Sequence, residues 1–225
     1  MTTFFVDTAH AYMSESFTPE QARNRSVAAM PAPLGEFYHW LHDELAWLYI
    51  KWTDYRRLYA MGDERVELLI KVAPTFFGQL QRTMWEDVLL HLCRLTDPAK
   101  SMGHEHLTIL RIPDAIPDQA LRDTVQLLVN DAKQKSQFAR NWRNRHLAHK
   151  ELPTPLGQVA ATSSLGSRQN VEDALAAVAK TMNHIERHYL NQTVLYAHSI
   201  EALGGVESLI ARLTKGISAD EANQE

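Results

Sequence analysis

The sequence predicts an all-α fold, an antiparallel four-helix bundle with extra short helices at both termini, and three observations predict it. Apolar residues recur at spacings of three and four through four long stretches. The connections between those stretches are short, or rich in Gly, Pro and small polar residues. No stretch alternates apolar and polar residues with period two over a useful length, so no sheet is expected.

The chain has 225 residues, of which 45% are hydrophobic and 22% charged, an ordinary composition for a globular protein with a self-supporting core. Residues 1–33 read as an N-terminal appendage, 34–200 as the bundle, and 201–225 as a short C-terminal helix with a disordered tail. No run of about 18 apolar residues occurs, so no membrane span is expected. The first residues lack the basic and apolar regions of a signal peptide, and the expected location is cytoplasmic. A single cysteine, Cys93, cannot close an intramolecular disulfide and sits among Leu89, Leu90, Leu92 and Leu95, where it reads as a small buried hydrophobe.

In order, Thr18-Pro19-Glu20 opens a short helix that Pro31-Ala32-Pro33 ends. Leu34, Phe37, Leu41, Leu45, Leu48, Trp52, Tyr55 and Tyr59 then mark one stripe of a helix about seven turns long. Its aromatic residues (Phe37, Tyr38, Trp40, Trp47, Tyr49, Trp52, Tyr55, Tyr59) exceed what one stripe buries, and some are expected to face a second protomer. Met61-Gly62-Asp63 ends this helix and starts the second, which follows Val66, Leu69, Ala73, Phe77, Leu80, Met84, Val88, Leu92 and Leu95. Pro74 bends or breaks it, and Thr96-Asp97-Pro98 stops it.

Residues 98–116 form a connector whose apolar run Leu107-Thr108-Ile109-Leu110 packs over the bundle. The third helix begins near Pro117-Asp118 and follows Leu121, Val125, Leu128, Ala132, Phe138 and Trp142, with a kink expected around 134–137. Its stripe continues at His146 and His149. After the polar linker 153–169, a fourth helix runs from Asn170 as N-cap through Val171, Leu175, Val178, Met182, Ile185 and Tyr189 toward Ile200. Gly204-Gly205 precedes a last short helix over 206–213, and the residues from 219 onward read as disordered.

Charge singles out the third helix. Residues 133–150 hold Lys133, Lys135, Arg140, Arg143, Arg145 and Lys150 with no Asp or Glu, which leaves 17 basic residues against 27 acidic ones elsewhere, a balance of −10. Cations in a last helical turn complement the macrodipole, but that accounts for three or four of them, not for a run of five turns. A net charge of −4 argues against indiscriminate nucleic-acid binding, so a polyanion would be met locally, at this window. On a straight helix Arg143 and His149 lie about 9 Å apart along the axis and about 120° apart around it, with His146 between them. This fan suits a phosphodiester: a guanidinium offers a fixed fork of donors to phosphate oxygens, and an imidazole moves a proton near neutral pH. With RNA, the substrate's own 2′-hydroxyl can attack, and no metal is required.

At Arg143, Asn144 and His149 the sequence resembles the HEPN superfamily, whose mark is an arginine, a following polar residue and a histidine after a gap of four to six. The fuller string Trp142-Arg143-Asn144-Arg145-His146-Leu147-Ala148-His149-Lys150 is most similar to the abortive-infection branch, as is Leu92-Cys93-Arg94-Leu95-Thr96-Asp97-Pro98 at the end of the second helix. The resemblance covers roughly residues 34–190. It implies a helical bundle, often a homodimer with two motifs facing each other, that forms a metal-independent ribonuclease site. Arg143 would hold the phosphate, His149 would act as general acid or base, Asn144 would orient one of them, and His146 would be auxiliary. Arg140, Arg145 and Lys150 would contact RNA backbone. Members paired with nucleotidyltransferases often carry a tyrosine two residues after the histidine, where this chain has Glu151.

The resulting expectation is a metal-independent RNA endonuclease of bacterial defence, or a toxin with an antitoxin partner, leaving 2′,3′-cyclic phosphate ends. The alternative is a non-catalytic bundle that binds RNA or a protein through the basic third helix. No metal or cofactor is expected. His104-Glu105-His106 lacks a further ligand set, and His184 and His188 are four apart on one helix with Glu186 misplaced for the zinc-protease arrangement. Glu36 and His39 make a single Glu-x-x-His where a two-metal bundle needs two.

Overall fold

A computed structural model of the chain describes residues 18–145, 166–197 and 205–222. Its helices, in order, are α1 (Pro19–Ala29), α2 (Leu34–Tyr59), α3 (Asp63–Val72), α4 (Pro74–Thr96), α5 (Gln119–Lys135), α6 (Gln137–Arg143), α7 (Arg168–Leu190) and α8 (Val206–Ala222). The fold is all-α, as the periodicity predicts, and no described helix is long and apolar enough to cross a membrane. The described residues fall into two compact units, one drawn from Met1–Leu48 and Leu89–Tyr196, the other from Tyr49–Val88 and Ala197–Glu225.

In the first unit, α1 opens on a capping box in which Thr18 and Gln21 exchange side-chain and backbone bonds, with Pro19 in the first turn. It lies with its backbone directly against α2. A Cβ added at Gly35 would stand 2.7 Å from Ser26 O and from Val27 Cα, so only glycine permits this approach. Arg23 forks onto Glu36 at 3.0 and 2.6 Å beside that contact. The N-terminal half of α2 buries more than one stripe, Leu34, Tyr38, Leu41, Leu45 and Leu48 together with His39 and Ala46. Of the eight aromatic residues along α2, Tyr38, Tyr49, Trp52 and Tyr55 are buried, whereas Trp40 remains half exposed. The last turns of α4 supply Leu89, Leu92, Cys93 and Leu95 to the same core, and Glu44 of α2 meets the buried His91 at 2.7 Å.

The connector contains a correction to the expectation of no sheet. β1 (Lys100–Ser101) and β2 (His104–Glu105) pair antiparallel through a turn at Met102 and Gly103, both with positive φ (49° and 84°), as a tight two-residue hairpin demands. Two residues per strand carry too little alternation to be read from sequence. Arg111 ties the hairpin together, donating to His106 O at 2.6 Å, Ala99 O at 3.0 Å and the Glu105 carboxylate at 3.0 Å. His106 Nε2 and Ser101 Oγ lie 2.8 Å apart. The His104-Glu105-His106 string is thus a strand and its exit. Beyond it Ile109, Ile112 and Ile116 are fully buried.

Helices α5 and α7 lie side by side, Leu121, Val125, Val129 and Ala132 on one and Val171, Ala174, Leu175, Val178, Met182 and Ile185 on the other being buried. Burying each large aliphatic side chain contributes about 1.5–3 kcal/mol. Tyr189, at the end of α7, lies near enough to Asp118, at the start of α5, for their charges to interact, and Gly166, before α7, touches Phe138 after α5, so the two run antiparallel. The N-cap of α7 is Ser167, with Asn170 completing the capping box as the third helical residue, not the cap itself. Helix α7 stops at Leu190 because Asn191 turns left-handed (φ 50°), and the chain then doubles back. Asn183 holds this return, its side chain bonded to Val194 N at 2.7 Å and Val194 O at 2.9 Å. Tyr196 hydroxyl then reaches His42 Nδ1 at 2.7 Å.

In the second unit, the expected second helix is broken at Ala73, with Pro74 starting α4, because proline supplies no N–H to continue α3. Leu58, Leu69, Phe77 and Val206 form the local core. Helix α8 extends to Ala222, well past the predicted end at 213. Arg65 grips Glu207 with both Nη atoms, at 2.6 and 2.9 Å, and Lys71 pairs with Glu221. Those partners on α3 hold the helix in place.

Candidate functional site

The basic window begins at a break. Ser136 is buried, and its hydroxyl donates to Ala132 O at 2.8 Å, so it closes α5 on itself before α6 restarts at Gln137. The predicted kink is this interruption. Along α6, Ala139, Arg140 and Trp142 face inward while Asn141 faces out.

Arg140 is a departure from the expectation of an RNA contact: it is 8% exposed. Its Nη1 donates to Thr96 O at 3.2 Å and Thr96 Oγ1 at 2.9 Å, its Nη2 to Lys133 O, and its Nε to Gln137 Oε1 at 3.2 Å. Thr96 O and Lys133 O belong to the C-terminal turns of α4 and α5, which lack intrahelical donors and carry the negative ends of the helix dipoles. A guanidinium set between two such ends satisfies orphan carbonyls on both. Burial still pushes the Arg140 pKa down, with Cys93 and Asp97 opposing that shift and Arg143 adding to it.

One turn further on, Arg143 Nη1 donates to Asp97 Oδ2, the residue directly after the end of α4. The two side chains keep 31% and 22% of their exposure. The consecutive residues Thr96 and Asp97 therefore receive arginines from consecutive turns of α6. Asp97 Oδ1 is buried and has no hydrogen-bond partner among the described residues. One turn before Asp97, on α4, is Cys93, whose thiol burial pushes up to about 11, against the pull of Arg143. It is the buried hydrophobe that the sequence predicts.

Asn144 and Arg145 are exposed at the end of the described segment. His146, His149 and Lys150 lie outside the described residues, so of the predicted constellation the structure places Arg140, Arg143, Asn144 and Arg145 and brings the first two to the end of α4. Asp97 and Thr96 are partners that sequence reasoning treated only as a helix stop and part of a motif. Their signal was the Leu-Thr-Asp-Pro string itself, a carboxylate at a helix C-terminus where the dipole disfavours it unless a cation is near.

Elsewhere, His184 is half-buried, with its pKa lowered by burial and by the neighbouring Arg187, while His188 is exposed against the ring of Tyr189. Glu36 is taken by Arg23, and His39 faces Asp43 at 3.8 Å. Among the described residues no group of three or more His, Cys, Asp or Glu is gathered as a metal ion needs.

Compared with known proteins, residues 32–205 match the family HEPN_AbiU2, described as AbiU2. No curated protein and no solved structure matches the chain.

Proposed function

The chain belongs to the HEPN_AbiU2 family, the abortive-infection branch of the HEPN superfamily, and on that premise we propose that it is a metal-independent RNA endonuclease acting in bacterial defence or as a toxin. The observation that carries the reading is Arg143, a partly exposed guanidinium at the end of α6, set in the basic window of an otherwise acidic chain. In this reading Arg143 binds the scissile phosphate and stabilises charge that develops on its non-bridging oxygens.

The 2′-hydroxyl loses its proton and attacks phosphorus, the bond from phosphorus to the 5′-oxygen breaks, and that oxygen takes up a proton. The products are a 2′,3′-cyclic phosphate and a 5′-hydroxyl. His149 carries one of the two proton transfers, Asn144 orients it or the arginine, and His146 is auxiliary. Arg145 and Lys150 contact the RNA backbone, and Arg140 supports α6 from within. The active form is a homodimer with the motif at or near its interface, restrained in the cell by an antitoxin partner.

Removing either essential group should abolish cleavage without unfolding the protein. His149→Ala and Arg143→Ala are each expected to lower RNA cleavage by roughly a hundredfold or more in chelator-containing buffer, with unchanged circular dichroism. Equal decay with wild type and His149→Ala would place the activity elsewhere. Retained RNA binding by a wild type that cuts nothing would favour the non-catalytic bundle.

A further inference from the structure

We propose that Asp97 is the positioning residue for Arg143, aiming its guanidinium and damping its charge until a phosphate arrives. The inference rests on the reading of Arg143 as the phosphate-binding group. Three features of the pair carry it. First, the contact is built rather than incidental. Arg140, with four bonds to protein acceptors, fixes α6 against the end of α4, and so fixes the distance from which Arg143 meets Asp97 one turn later. Second, the ion pair is single-pronged. Asp97 Oδ2 accepts from Nη1, whereas Oδ1 is buried with no partner among the described residues. A carboxylate placed for maximum stability would take the bidentate fork that arginine offers. This one leaves the other donors of the guanidinium uncommitted to it, and a phosphate needs two of those. Third, Asp97 follows a helix C-terminus, where its own charge is disfavoured by the dipole, so its presence is not explained by the stability of α4.

Asp97 therefore acts in two opposed ways. Its hydrogen bond limits the rotamers of a long side chain, which helps the reaction, and its negative charge offsets that of the guanidinium and so weakens the hold of Arg143 on the phosphate. Asp97→Asn keeps the shape and an acceptor but removes the charge. We expect this variant to bind a mixed-sequence 2′-O-methyl oligoribonucleotide roughly threefold more tightly and to cleave the unmodified RNA roughly tenfold more slowly. Asp97→Glu, which retains the charge but displaces it by a methylene, should restore the binding constant and not the rate. In an Arg143→Ala background, Asp97→Asn should change neither quantity.

Weaker binding together with slower cleavage in Asp97→Asn, or the same change with and without Arg143, overturns the inference and leaves the nuclease reading standing. If Arg143→Ala alone binds and cleaves like the wild type, both fail. Urea unfolding of each variant separates these results from simple loss of fold.

Discussion

A guanidinium that is 8% exposed must find its acceptors inside the protein, and Arg140 finds them at the ends of two helices. Removing it leaves Thr96 O and Lys133 O unbonded at the negative ends of α4 and α5. Arg140→Ala is expected to cost about 3 kcal/mol in urea unfolding, whereas a surface arginine reserved for RNA would cost almost nothing. A change under about 0.5 kcal/mol would contradict the capping role. Arg143, one turn on, is the contrasting case, partly exposed and tied to a single carboxylate oxygen. Sequence reading finds both arginines and gives them different roles, Arg143 on the scissile phosphate and Arg140 on the RNA backbone, but it does not show that Arg140 is buried. Their fates are set by Thr96 and Asp97, more than forty positions away. Local spacing contains no such information.

At the level of elements, the approach of α6 to the start of α7 depends on one residue. Gly166 has φ +78°, and a Cβ there would lie 2.4 Å from the ring of Phe138. Gly166→Ala thus meets both an unfavourable backbone conformation and a clash, and is expected to destabilise the protein by roughly 2 kcal/mol. Thermal unfolding of this variant beside Gly78→Ala, where nothing lies within 4 Å, checks it. Equal stability in the two would remove the contact from the account. The long helices were legible because their apolar spacing repeats for many turns, and the breaks at Pro74 and near Ser136 because proline and a polar interruption mark them. Helix α8 runs nine residues past the end at 213 that its local pattern suggests. What holds it, Arg65 and Lys71, comes from α3.

Across the whole molecule, buried phenols impose a pH limit. Burial pushes Tyr49 and Tyr59 up to about 12, and raises Tyr38 well above its ordinary 10.0, with Tyr196 and Glu186 adding to the last. A group whose folded pKa lies above its unfolded value contributes stability that is complete below the unfolded value and lost as pH rises. Unfolding free energy should therefore hold steady from about pH 7 to about 9, begin to fall as the buried Cys93 thiol titrates, and fall further between about 10 and 12 as the phenols follow. Tyr49→Phe should flatten part of that fall. A stability independent of pH across this window would show the phenols to be solvated.

The grouping into two units was not legible either, because α2 and α4 each run through both, and periodicity along one helix does not say which neighbours share it. What the sequence does mark is where the charge lies. The most direct test of the central claim, that Arg143 belongs to a metal-free phosphodiester-cleaving site, is mass spectrometry of RNA ends formed in the presence of a chelator. Wild type is expected to give 2′,3′-cyclic phosphate and 5′-hydroxyl ends, and Arg143→Ala none. Ends bearing a 3′-hydroxyl, or the same cyclic ends from both proteins, would contradict it.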